Sequence, residues 1–162
     1  MPQSSARIEI DIRRQRLWLV ETDGVEEFTV STAANGVGEL FGSECTPRGK
    51  HVIRAKIGAG QAENTVFIGR RPSGEIYTPE LARQYPERDW ILTRILWLSG
   101  LEPGRNRLGK VDTMRRYIYI HACPSEDRLG VAGSHGCIKM RNQDIIHLFE
   151  RVSCKTQVSI HE

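Results

Sequence analysis

One stretch sets what this chain can fold into: Tyr117 to Asn142, YIYIHACPSEDRLGVAGSHGCIKMRN. It opens with the alternating apolar run YIYI, which predicts a buried strand delivering His121 at its end. It closes on Ser134-His135-Gly136-Cys137, a thiol behind a glycine. The loop between them carries Pro, Asp and Gly and is long enough to bring the chain back. His121 and Cys137 can therefore meet although sixteen positions separate them. An imidazole on a strand and a thiol on a Gly-bearing segment are the parts of a nucleophile with its base.

A free cysteine is mostly protonated at neutral pH, so a catalytic one needs a neighbour that favours the thiolate. An imidazole within hydrogen-bond reach does this, and can later return the proton to a leaving amine. Gly136 leaves the backbone before the sulfur unhindered, so peptide N–H groups there can face a developing oxyanion. Ser134 and His135 would brace that loop or add a donor to it. Ile145, Ile146, Leu148, Phe149 and Val152 recur at helical spacing, predicting a helix over Asn142 to Val152. Cys137 then sits shortly before a helix, whose N-terminal dipole would lower the thiol pKa if it faced the sulfur.

The same letters allow other chemistry. A cysteine near a glycine can be a small buried hydrophobe. His121-x-Cys123 and His135-x-Cys137 are two His-x-Cys pairs, and on extended chain such pairs could close a tetrahedral zinc site within a binding domain. Zinc pairs usually have wider spacing, and Gly136 predicts a turn rather than a strand. Cys123 could also resolve an oxidised Cys137 in a redox sensor; the reading adopted makes it a packing residue.

The remainder reads as a chain of short strands. Arg7 to Val20 alternates as two strands around Arg13-Arg14-Gln15, and Phe28 to Thr32 gives a third. Ala33 to Gly49 is an extended loop or wide hairpin; its Gly36-Val37-Gly38 opens no helix, so a phosphate cradle is excluded. His51 to Ile57 and Thr65 to Gly69 are further strands, and Arg70 to Gly74 is a turn. Thr78 with Pro79 and Glu80 predicts a capped helical turn. Trp90 to Leu98 reads as a buried strand, with Arg94 inside it as a substrate carboxylate clamp or the partner of an internal acid. Leu101 to Asp112 is a basic loop, either a substrate-facing lid or a solvated connection. Thr156 to Ile160 is the last strand. Many short strands, one clear helix and Gly-rich turns predict a mainly β fold, a sandwich or open barrel.

At 162 residues the chain is expected to be a single domain with a core of its own. A net charge of +3, evenly spread, excludes a nucleic-acid binder. No run approaches a membrane span, and the opening residues carry no apolar leader, so the expected compartment is the cytoplasm. Four irregularly spaced cysteines fit reduced thiols there.

The run IHACPSEDRLGVAGSHGCIKMRNQDIIHLFERV resembles the signature of the YkuD family, the L,D-transpeptidase catalytic domain: a His, a loop, Ser/Thr-His-Gly-Cys, an apolar residue, usually Arg, then an Asn. The resemblance implies Cys137 as nucleophile, His121 as base and the Ala122 carbonyl as orienter of the imidazole. It implies a YkuD-like fold over residues 1–162, a peptidoglycan stem tetrapeptide as substrate and no cofactor or metal. Lys139 stands where the family usually has Arg; it can attract a carboxylate but not grip it with a fork. Lys139, Arg141, Asn142 and Arg94 are the expected substrate-binding residues. Leaderless members of that family trim tetrapeptides in murein recycling, so an L,D-carboxypeptidase is expected, with 3→3 cross-linking by an L,D-transpeptidase as the alternative.

Overall fold

Alternating side chains build the sheet from its first hairpin. The structure is a computed structural model and describes residues 6–162; the expectation about a leader rests partly on residues 1–5, outside the described residues. Ile8 and Ile10 of β1 (Arg7–Asp11) and Leu17 and Leu19 of β2 (Arg16–Glu21) are buried on one face. Gln15 turns the chain at φ 55°. Its side chain bonds both the Thr32 N–H and hydroxyl, so part of this polar turn is interior. There follow β3 (Gly24–Thr29), β4 (Gly49–Ile57), β5 (Thr65–Ile68), β6 (Arg71–Ile76), α1 (Pro79–Gln84) and β7 (Leu92–Gly100). The chain continues with β8 (Tyr119–Ala122), β9 (Ile138–Met140), α2 (Asn142–Arg151) and β10 (Gln157–His161).

The strands form one curled, mainly β sheet in the order β3-β2-β1-β10-β4-β7-β5-β6, with β8 on β7 and β9 on β8. β10 enters between β1, to which it is parallel, and β4, to which it is antiparallel. β9 is parallel to β8, so the long loop between them is a return connection rather than a hairpin. α2 lays Ile145, Leu148 and Phe149 against the sheet. Their partners include Leu96, Ile120, Ala122, Ile138 and Met140, whose side chains share the main core. The opposite face of β7 and β8 carries a smaller apolar cluster of Phe67, Ile95 and Tyr119, with Trp97 and Cys137 against it. This second face holds the site.

Three expectations are corrected. The third strand starts earlier, at Gly24, because Glu21 and Gly24 close a tight hairpin; Ser31 and Ala33 instead bridge singly to Lys139 and Ser134. Residues 71–74 are strand, not turn: β6 lies at the sheet edge, where Pro72 need not donate to a neighbour. Residues 101–112 form a tied knot rather than a loose lid. Asn106 is fully buried and bonds the Arg48 and Lys50 carbonyls and the Glu102 N–H. Among the described residues, no helix is long and apolar enough to cross a membrane.

Candidate active site

Strand register brings the two ends of the signature stretch together. Ile120 pairs with Ile138 and His121 with Lys139, so Cys137, one residue before β9, stands beside Tyr119. Residues two apart on a strand share a face. His121 and Cys137 therefore point into the same face, one strand over and one two-residue step of about 6.6 Å along. The Tyr119 N–H donates to Cys137 Sγ at 3.3 Å, and Sγ lies 3.4 Å from the Tyr117 carbonyl. His121 Nδ1 lies 2.6 Å from the Ala122 carbonyl. A carbonyl only accepts, so Nδ1 carries the proton and Nε2 is left as the basic nitrogen.

Electrostatics keep both groups neutral at rest. Burial pushes the Cys137 thiol up to about 12; the Tyr119 N–H and the Arg116 charge favour the thiolate, while the Asp89 carboxylate opposes it. Burial also holds His121 below the usual imidazole value. Both shifts favour the neutral thiol and the neutral imidazole. The helix dipole gives no help: β9, about 10 Å of strand, separates Cys137 from the start of α2.

The loop around the thiol is fixed by its own hydroxyl. Ser134 Oγ donates to the Cys137 carbonyl at 2.6 Å and accepts from the Gly136 N–H at 3.2 Å. Thr46 Oγ1 donates to the Gly136 carbonyl at 2.9 Å. Gly136 has φ +130°, and a Cβ there would lie 3.1 Å from Ile118 Cδ1 and 3.3 Å from the Cys45 carbonyl. Ser134 is thus a brace, and the Gly136 N–H is already engaged.

A cleft of about 430 Å³ opens over the sulfur, lined by Phe67, Arg70, Ile91, Ile95, Tyr119 and His135 among others. None of the four expected substrate-binding residues lines it. Lys139 shares the His121 face, but its Nζ pairs with Asp127 at 2.7 Å. Arg141 donates to the Ser125 carbonyl. Asn142 is buried, bonding Asn64 and accepting from Thr93 Oγ1 at the start of α2. Arg94 donates to the carbonyls of Gln61 and Thr93 and stacks over Phe149 at 5.6 Å. It faces the helix side rather than the cleft, and among the described residues it pairs with no acid. A bulge between Leu92 and Ile95 sends it there, with Thr93 at φ 74°. His135 is exposed beside Asp89. The four donors of the two His-x-Cys pairs diverge, Cys123 being buried against the Met140 carbonyl with its thiol pushed up to about 11. Among the described residues no cluster of three or more metal-ligating side chains forms.

Sequence reasoning missed Arg70, Asp89, Arg116, Tyr117 and Tyr119 as cleft residues. The alternation of YIYI does place Tyr117 and Tyr119 on the His121 face. Arg70 and Arg116 gave no signal, because each reaches the cleft only through tertiary contacts.

A family model, YkuD, the L,D-transpeptidase catalytic domain, matches residues 5–160. No curated protein sequence matches the chain. Among solved structures, an L,D-transpeptidase from Mycobacterium smegmatis superposes with TM-score 0.62 at 16% identity over 98% of this chain and 59% of its own. L,D-transpeptidase 3 from Mycobacterium tuberculosis, in complex with a faropenem-derived adduct, gives 0.62 at 13% identity, covering 98% and 61%. An L,D-transpeptidase from Xylanimonas cellulosilytica gives 0.54 at 17%, covering 99% and 62%. At such identities the likeness is one of fold, and the chain spans 59–62% of the length of these three. With the family model covering nearly every residue, the chain belongs to the YkuD family of L,D-transpeptidase catalytic domains.

Proposed function

We propose that this domain is a cysteine acyl-transfer enzyme that cleaves the L,D amide bond before the terminal D-alanine of a peptidoglycan stem tetrapeptide, with water as the final acceptor. The observation that carries the reading is Cys137 lining a cleft, with the buried His121 on the same face of the adjoining strand. The thiol gives its proton to His121 Nε2 as sulfur attacks the carbonyl, so charge develops only in the transition state. The Tyr119 N–H stabilises the emerging thiolate. The oxyanion falls to backbone donors other than the Gly136 N–H, which Ser134 holds. His121 then protonates the departing D-alanine nitrogen; the C–N bond breaks and a thioester remains. Water, losing a proton to His121, releases a tripeptide acid and restores the thiol. The product is the kind of peptide that murein recycling consumes, with the cytoplasm as its compartment.

The cleft suits one small ligand, which supports hydrolysis. The observation favouring cross-linking is a second depression of about 200 Å³ lined by Glu44, Arg115, Tyr117 and His135, where a carboxylate could hold an acceptor amine. The deciding experiment is mass spectrometry of a purified tetrapeptide incubated with the protein, with and without an amine acceptor. Tripeptide in both arms is expected; a cross-linked dimer replaces hydrolysis by transpeptidation, and intact peptide removes the reading. Cys137→Ala is expected to abolish turnover, and a penem such as faropenem to leave a covalent adduct on Cys137.

A further inference from the structure

The hairpin joining β5 to β6 places a cation over the cleft in a way its backbone does not favour. Ile68 pairs with Arg71, so Gly69 and Arg70 are the whole loop. Both take positive φ, 56° and 65°, as a type I′ turn requires. Such turns take Asn, Asp or Gly, and a long side chain in the second slot is unusual. The turn sets Arg70 against three rings. Its guanidinium lies 5.0 Å from the Trp97 ring and 4.7 Å from the Tyr117 ring. Nη1 donates to the Tyr119 hydroxyl at 3.1 Å. Trp97 is itself fixed by donating to the Met114 carbonyl. The group is thus oriented before any ligand arrives.

Arg70 and Arg116 are the two Lys or Arg side chains lining this cleft. Arg116 is tied to the carbonyls of Gly38 and Cys45 and to the Ser43 hydroxyl. Arg70 donates to one uncharged hydroxyl and, among the described residues, pairs with no carboxylate. Four of the five N–H donors of a guanidinium remain. Arg70 also sits one tyrosine side chain from the nucleophile, because the Tyr119 N–H touches Sγ while its hydroxyl touches Arg70.

We propose that Arg70 is the substrate-carboxylate receptor of this site, taking over a role that Lys139 cannot fill while paired with Asp127. A planar fork held on aromatic faces offers the bidentate geometry a carboxylate needs. The inference rests on the peptide-cleaving reading for the ligand's source, which is the terminal D-alanine carboxylate or a carboxylate on the third residue's side chain. The shared chemistry is a free carboxylate within one tyrosine length of the sulfur.

The test compares wild type, Arg70→Gln and Arg70→Lys on three tetrapeptides: one with diaminopimelate at position three and a free C-terminus, its C-terminal amide, and its lysine counterpart. Arg70→Gln is expected to raise KM for the first about tenfold or more with a smaller change in kcat, and Arg70→Lys to recover part of it. The penalty disappearing with the amide assigns the terminal carboxylate; disappearing with lysine, the side-chain one. Equal KM for wild type and Arg70→Gln, or the same penalty on all three peptides, overturns the proposal. A second measurement is independent of the substrate: Cys137 alkylation by iodoacetate relative to neutral iodoacetamide. Arg70→Gln is expected to lower that ratio several-fold with the iodoacetamide rate kept, which also reports an intact fold. An unchanged ratio counts against Arg70 even if wild type leaves every tetrapeptide intact, an outcome that removes the functional reading instead.

Discussion

At the scale of single residues, the site is a thiol and an imidazole both held neutral by burial. With the Cys137 thiol near 12, its iodoacetamide alkylation is expected to climb about tenfold per pH unit from 7 to 10 with no plateau. A plateau near neutrality would reveal a resting thiolate–imidazolium pair and contradict the neutral state. His121→Ala is expected to remove turnover while leaving alkylation at pH 10 within a few-fold of wild type, since hydroxide then takes the proton. Gly136→Ala forces a Cβ against Ile118 and the Cys45 carbonyl at φ +130°. A loss of about 1–3 kcal/mol in thermal melts is expected, with a fall in kcat; an unchanged melt would show that the loop yields. That Cys137 and His121 come to share a face was legible because a strand, a turn-forming loop and a glycine beside the thiol are all local signals. Arg70 was not, because GR occupies a turn slot normally marked by NG, and its partners Trp97 and Tyr119 are distant in sequence.

At the scale of elements, the decisive irregularity is the β7 bulge. Thr93 at φ 74° is held by its hydroxyl, which donates to Asn142 and accepts from the Asn64 N–H. Beyond it Ile95 faces the cleft opposite His121, while Arg94 turns to α2. Bulges re-aim side chains beside active sites in this way. Asn142→Ala leaves the Asn64 side chain and the Thr93 hydroxyl without this partner in a buried setting, so a cost of about 1–3 kcal/mol in denaturant titration is expected. Activity should fall too, although Asn142 does not line the cleft; unchanged turnover would detach the bulge from the chemistry. The helices were readable in advance: Thr78 accepts from the Leu81 N–H with Pro79 in the first turn, and α2 follows its apolar spacing. The bulge was not, because a β-branched residue at positive φ is imposed by neighbours rather than preferred locally.

At the scale of the whole molecule, acid stability is tied to two interior imidazoles. His51 is fully buried, donating from Nδ1 to the Gly49 carbonyl and accepting from Thr113, and burial lowers its pKa to about 4. Below about 6.5 the unfolded chain binds a proton that folded His51 refuses. Stability is therefore expected to fall by about 3 kcal/mol between pH 6.5 and about 4, and to be insensitive to His51 above that window. His121, also lowered, acts in the same direction; Glu39, Glu102 and Asp112, lowered as carboxylates, add their losses at more acid pH. Denaturant titrations at pH 7.5 and 5 should show the drop, with a shallower one in His51→Gln; equal slopes would assign it elsewhere. The mainly β class was legible from alternation, but strand order was not, since β10 finds its place through β1 and β4, far away in the chain. That placement has a consequence for synthesis. A ribosome making this polypeptide releases β1, β2 and β3 long before the strand that joins them to β4 exists. Until then β1 presents an unzipped edge, and a nascent chain stalled before Gln157 would offer chaperones and proteases two half-sheets without the central strand that seams them.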